Sequence, residues 1–430
     1  MLRLARVGRG GEAYYLQVAA GTGTGIEPAG QWVGHVASQL GLAGPVEADP
    51  LSEVLAGRDA TGTRTLSATH DRVRVVAFDL TFCAPKSVSL LHALGEPEVG
   101  AAVRSAHEGA VSAAFDYVER RVAAVRRPLD GHRVPMAVDG LIGAGFLHRT
   151  SRALDPHLHT HVVVANVAVA DGWPGQALDG RGFYAHRQAA DALYHAELRA
   201  ELTSRLGVAW LPPERGRADV AGIALQLRQA FSKRSAEIAA DLARSGASGR
   251  RAADLAATVT RPSRRADIGA DELVDQWRRR ALDLGLGPRA LDRVCDARPR
   301  SAPGLDPEAA ERAAASLHRA GRPVARRDAV TAVCWTASAG VSSVAVGTCA
   351  DRALALATGQ AEVPARQWGP GVAERRLALA PALERSPTVE LSRAERRRQA
   401  DELLHRQLAA RGMTVPDLRG WDRGPDLGLG

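Results

Sequence analysis

Residues 155–166 read DPHLHTHVVVAN, and the residue types in that order decide what the chain builds around them. Val162, Val163 and Val164 are β-branched and extend an apolar run from Leu158, which marks a strand. Side chains two apart on a strand leave by the same face, so His159 and His161 converge there. His157 has the same parity and is either a fourth ligand or a bystander.

Upstream, the short apolar run 141–147, LIGAGFL, ends against His148. A hairpin through 151–156, SRALDP, can return the chain so that His148 lies beside the other two. Three imidazole nitrogens with positions left open for substrate form the donor set of a catalytic divalent metal, with Mg, Mn and Zn all admitted. A hairpin carrying ordinary surface or core histidines is the plainer alternative.

Further out, 72–83, RVRVVAFDLTFC, is β-branched and aromatic and reads as another strand. Between the strands, 101–127 places Val103, Ala106, Ala110, Ala114, Val118, Val122 and Val125 at helical spacing, and 188–206 reads the same way. Runs of strands around one long helix predict an α+β fold, a mostly antiparallel sheet palm with flanking helices. The alternative is a doubly wound sheet. Near residue 300 the texture changes to Pro and Gly, then to Ala-rich helical segments. This predicts a first domain over 1–300 and a mainly helical region over 301–430, with a charged helix at 391–411 and a frayed end at 412–430.

A chain of 430 residues exceeds one ordinary core. The net charge of +8 favours a polyanionic partner, because cations on a surface release counterions from phosphates. Arginine-rich composition alone also raises charge. The four cysteines form no CxxC pair, which suits a reducing cytoplasm. No apolar run approaches the ~20 residues of a membrane helix, and residues 1–11 lack the apolar stretch of an export signal, so no membrane association is expected.

Asp79 stands among apolar neighbours in AFDLTF, a costly position unless its carboxylate is paired. It either orients a ligand histidine or caps a backbone group. The pair Tyr14-Tyr15 can present a hydroxyl to a polarised phosphate, although core packing is the default for aromatic pairs. Lys86 in APKS, and Lys233 with Arg234 in FSKR, are candidate phosphate contacts or solvated charges. Neither a GxxxxGK[ST] loop nor an HExxH motif occurs, which speaks against an ATP-driven motor and a zinc protease.

From about residue 14 to about residue 287 the chain resembles the conjugative relaxases typified by TrwC and the F-plasmid TraI relaxase domain. The likeness rests on DLTFCAPKS at 79–87, HRTSRALDPHLHTH at 148–161, YHAELRAEL at 194–202, FSKRSAEIA at 231–239 and QWRRRALDLGL at 276–286. The resemblance implies a metal held by His148, His159 and His161 with Asp79 assisting, and Tyr14 as the nucleophile that becomes joined to a 5′ phosphate, with Tyr15 its neighbour. It also implies single-stranded DNA at an origin of transfer as substrate, helices after about residue 187 closing over that strand, and a coupling ATPase as protein partner.

Three departures stand out. Residues 21–30, GTGTGIEPAG, lack the second tyrosine pair of TrwC-like enzymes, His157 replaces a glutamine, and the helicase into which relatives continue has no counterpart here. Two rivals share the motif: a rolling-circle replication initiator and a catalytically inert origin-binding relative.

Overall fold

The computed structural model describes residues 2–359 except 22–26, 68–71, 130–131, 170–174, 250–251, 254–255, 258–268, 288–290, 292, 296–303, 306–307 and 319–323. The expected helix at 391–411 and the expected fray at 412–430 lie outside the described residues.

A five-stranded sheet forms the centre, with the strands β1 (Arg3–Gly8), β2 (Gln31–Val33), β3 (Val75–Cys83), β6 (Gly143–Thr150) and β7 (Pro156–Ala165). Their order is β1-β3-β7-β6-β2, and each neighbouring pair is antiparallel. A separate hairpin joins β4 (Ala124–Leu129) to β5 (His132–Ala137). The α+β architecture with an antiparallel palm is thus present.

Helices cover both faces of the sheet, so its central strands read as near-continuous apolar runs. On one face Phe78, Leu80 and Phe82 of β3, with Leu158, Val162 and Val164 of β7, share a core with α4 (Lys86–Leu94), α5 (Pro97–Val122) and α6 (Arg181–Leu206). On the other, Ala77, Phe146, Val163 and Ala165 pack with α1 (Ala13–Ala19), α2 (His35–Gln39) and α3 (Ala48–Leu55). The polar interruptions Asp79, Thr81, His159 and His161 have the parity of the second face.

The long helix starts earlier and stops sooner than its periodicity suggests. Pro97 opens α5, where a missing N–H costs nothing, and the helix ends at Val122. Val125 keeps the spacing by coincidence, because it lies in β4 opposite Met136, and Pro128 two residues beyond Arg126 is incompatible with a helix interior. α6 extends the expected 188–206 segment back to Arg181 and ends at Gly207, whose φ of +62° caps it.

Beyond α6 come α7 (Leu225–Ala230), α8 (Lys233–Ser245), α9 (Ala270–Asp283), α10 (Ala309–His318), α11 (Arg326–Thr336) and α12 (Ser343–Thr358). Ala313, Leu317, Val330, Val333, Val346 and Ala350 of the last three join the same apolar core as α5 and α6. Arg199 of α6, only 1% exposed, donates to the carbonyls of Gly216, Cys334 and Ala337, the last at 2.9 Å. Gly340 has φ +91°, and a β-carbon there would run into the backbone of Ala196 and Ala200, so the chain crosses α6 at glycine distance.

Under β7, the buried ring of His107 bonds the Tyr194 hydroxyl through Nδ1 and the Thr160 hydroxyl through Nε2, each at 2.8 Å. Burial pulls the pKa of His107 down to about 3, and those of His186 and His195 down to about 4. In the unfolded chain each returns to about 6.5. These depressed values favour the folded state above the unfolded pKa, and the advantage is lost as pH falls because only the unfolded chain takes up the protons. Between about pH 6.5 and 4, urea denaturation should show stability falling by about 1.4 kcal/mol per pH unit for each such histidine. A flat profile over that interval would contradict the neutral buried state.

Candidate metal centre and tyrosine pair

The β6–β7 register sets the site. His148 lies directly opposite His159, Phe146 opposite His161, and across the next strand pair Thr81 lies opposite His161. The imidazoles of His148, His159 and His161 have centroid separations of 5.3, 5.3 and 5.2 Å. Three imidazoles sharing one tetrahedral ion at ~2.1 Å from each nitrogen have centroids about 5 Å apart, so the spacing fits a common ion. Among the described residues no group of three or more His, Cys, Asp or Glu side chains is arranged to hold a metal ion as it stands, although the three imidazole rings lie close together.

Their outer nitrogens are anchored. His161 Nδ1 donates to Asp79, 3.0 Å from Oδ1 and 2.9 Å from Oδ2. His159 Nδ1 donates to the His157 carbonyl at 2.8 Å. His148 Nδ1 lies 3.7 Å from Glu27 Oε1, and the Glu27 carboxylate is itself fixed by the backbone N–H of Arg149 at 2.9 Å. Protons on Nδ1 of His159 and His161 leave their Nε2 lone pairs open to accept, as in sites where outer partners orient a histidine. Burial, with the neighbouring imidazoles of His157, His161 and His148 adding to it, pushes the His159 pKa well below its ordinary value and keeps the ring neutral. His157 stacks on His159 at a centroid distance of 4.5 Å and contributes its carbonyl.

Asp79, 6% exposed, also accepts the Tyr15 hydroxyl at 2.9 Å and the Thr81 hydroxyl at 3.3 Å. Tyr15 is buried between Phe146 and His161, whose ring centroids lie 6.0 and 6.1 Å away. Tyr14, one residue earlier on α1, is half-buried and lies near-parallel to His148, 6.5 Å between centroids and 22° between planes. One short helix therefore brings both tyrosines to the histidines, one hydroxyl turned into the sheet and the other ring beside His148.

The candidate phosphate contacts each have partners within the protein. Lys86 donates its ammonium to the Pro156 carbonyl at 2.6 Å, and burial lowers its pKa to about 8. The backbone N–H of Lys233 donates to Asp155 Oδ2 at 2.7 Å, while its half-exposed ammonium lies 3.8 Å from Asp155 Oδ1. Arg234 reaches the Ala257 carbonyl at 2.6 Å and Glu237 at 2.9 Å. Sequence reasoning missed Glu27, which sits in a Gly-rich stretch without periodicity, and it treated Asp155 only as part of a turn.

Residues 4–284 match the TrwC relaxase family. A 218-residue stretch is 36% identical to the multifunctional conjugation protein TraI of Escherichia coli, covering 48% of this chain and 12% of that protein. Thus the chain spans about an eighth of the curated relative it matches. The conjugative relaxase TrwC, solved with OriT DNA in metal-free and metal-bound forms, superposes with a TM-score of 0.60 at 29% identity, covering 67% of this chain and 99% of that one.

Replacing Asp79 by Ala removes the acceptor that fixes His161. Calorimetric titration with Mn²⁺ should then give an affinity 10–100-fold weaker, the usual cost of losing such a partner. An unchanged affinity would separate Asp79 from the metal centre.

Proposed function

Because this chain belongs to the TrwC relaxase family, we propose that it is a conjugative relaxase that nicks one DNA strand at an origin of transfer and retains the cut end on a tyrosine. The observation that carries this reading is the seating of Tyr14 and Tyr15 against the three histidines and Asp79. A metal-binding hairpin alone would fit many hydrolases; the adjacent tyrosines supply a nucleophile.

His148, His159 and His161 would hold a divalent ion, which when bound supplies neutralisation of the negative charge on the scissile phosphate. An all-imidazole set with open positions suits Zn better than Mn and least of all Mg, which prefers oxygen donors. Tyr14 is the proposed nucleophile: its ring is half-buried beside His148, and it is the first tyrosine of the pair to which the family resemblance assigns the attack. Its oxygen forms a bond to phosphorus as the bond from phosphorus to the 3′ oxygen breaks. The phenolic proton is lost and the leaving 3′ oxygen gains one, so a 5′-phosphotyrosyl strand and a 3′ hydroxyl result. One phosphoester replaces another, and rejoining needs no nucleotide hydrolysis. Tyr15 and Asp79 act as positioning residues that hold His161.

Single-stranded DNA is the proposed substrate and a coupling ATPase the proposed protein partner, with the reaction in the cytoplasm. Among the described residues no helix is long and apolar enough to cross a membrane. The family match stops at 284 while the helices beyond residue 300 share the core of α5 and α6, so we propose the division near residue 300 as a boundary of the family region and not of the core. The lack of a second tyrosine pair in 21–30 fits a single tyrosine-mediated transfer per protein.

Incubation with Mn²⁺ and a single-stranded origin oligonucleotide should yield a covalent adduct visible as a mobility shift in denaturing gels. Tyr14→Phe should abolish it. Tyr15→Phe should retain it at a rate lowered about tenfold, matching the ~1.5 kcal/mol of one hydrogen bond to a charged group. Adduct loss confined to Tyr15→Phe would transfer the nucleophile's role, and no adduct with the unaltered protein would favour an inert origin binder.

A further inference from the structure

The turn that joins the two ligand-bearing strands is held more tightly than a hairpin needs. Three consecutive residues are gripped by three different elements. The Leu154 carbonyl accepts from Trp277 Nε1 of α9 at 2.8 Å, Asp155 Oδ2 accepts from the Lys233 N–H at the start of α8 at 2.7 Å, and the Pro156 carbonyl accepts from Lys86 Nζ of α4 at 2.6 Å. Within the turn, Ser151 and Asp155 bond each other through the Ser151 N–H to the Asp155 carbonyl at 2.9 Å and the Asp155 N–H to Ser151 Oγ at 3.2 Å. Leu154 adopts φ +57°, a conformation unfavourable for leucine that persists only where surroundings impose it.

Asp155 is 1% exposed, and its Oδ1 has no hydrogen-bond partner. Arg280 of α9 and Lys233 stand 3.7 and 3.8 Å from that oxygen, so two cations compensate a buried charge. Core packing does not account for α8, none of whose residues is buried. Its start is fastened where Asp155 meets it, a carboxylate at the positive end of the helix dipole.

The consequence lies at His148 and His159, seven residues before Asp155 and four after it. A one-residue slip between paired strands turns every side chain to the opposite face, so the turn that sets the β6–β7 register decides whether His148 faces His159. We propose that Asp155, Trp277 and Lys86 are positioning residues of the metal centre, which through the 154–156 turn hold His148 and His159 in register. The α8–α9 arm is thereby a structural support of the site as well as a neighbour of it. The inference rests on the reading of His148 and His159 as metal ligands.

The test compares the full chain with Asp155→Ala, Asp155→Asn and Trp277→Phe, following native-state hydrogen exchange and calorimetric Mn²⁺ binding. In Asp155→Ala and Trp277→Phe, amides of 147–160 should exchange at least tenfold faster while those pairing β1 with β3 keep their protection. Mn²⁺ affinity should fall at least fivefold, and Asp155→Asn, which keeps an acceptor for the Lys233 N–H, should recover most of both. Unchanged exchange in 147–160, a uniform rise across the whole sheet, or weakened Mn²⁺ binding with an unaltered hairpin would each overturn the proposal. Should Asp155→Ala fail to fold, Trp277→Phe decides alone, since it removes one donated bond and keeps an aromatic ring. Faster hairpin exchange in a protein that binds no Mn²⁺ even unaltered would sink the metal assignment and leave the clamp standing.

Discussion

A carboxylate in the middle of an apolar strand organises this molecule. Asp79 lies between Phe78 and Leu80, in a sheet covered on both faces, where an uncompensated charge would be destabilising by several kcal/mol. It is tolerated because three groups converge on it, the His161 Nδ1–H, the Tyr15 hydroxyl and the Thr81 hydroxyl, within apolar walls that keep water from competing. Each of these ties Asp79 to a different element, β7, α1 and its own strand. Remove the carboxylate and the helix carrying the tyrosine pair loses its polar link to the strand carrying the histidines.

The same constraint explains the division of labour between the faces. One face is filled with Leu, Phe, Val and Ala against α4, α5 and α6, and it supplies the bulk of the hydrophobic stabilisation. The other keeps a smaller core under α1, α2 and α3 and gives up positions in β3, β6 and β7 to polar side chains. Even beneath the site polarity is satisfied in place, with His107 spanning Tyr194 and Thr160 on the back of the strand that carries His159 and His161. Paired strands braced from behind keep the three imidazole ring centroids within 5.3 Å of one another.

Charged residues have split roles for a related reason. Lys86, Lys233, Arg280 and Arg199 were all available to phosphate by composition, yet each holds a carbonyl or a buried carboxylate. Long cationic side chains with several donors satisfy carbonyls at the ends of elements, where no backbone partner reaches. The helices beyond residue 300 illustrate this: Arg199 ties α6 to the end of α11, and Gly340 brings the chain in against α6. A change in sequence texture therefore does not interrupt the apolar core among the described residues.

Much of this was legible in the residues themselves. Strand parity alone put His159 and His161 on one face, β-branched runs marked β3 and β7, and a lone Asp in AFDLTF announced a buried partner, because all three are local consequences of side-chain geometry and desolvation. The motifs around them carried the family. What tertiary structure decided was every relation across the sheet. It set His148 opposite His159, gave Asp79 both Tyr15 and His161, brought Glu27 to His148 from a segment with no pattern, and joined the Lys86 ammonium and the Lys233 backbone N–H to the 154–156 turn. The physical reason is range. Periodicity reports which way a side chain leaves its own strand, whereas the partner it meets depends on register and on elements as far as 189 residues away, as for Leu2 and Asp191, which no local spacing encodes.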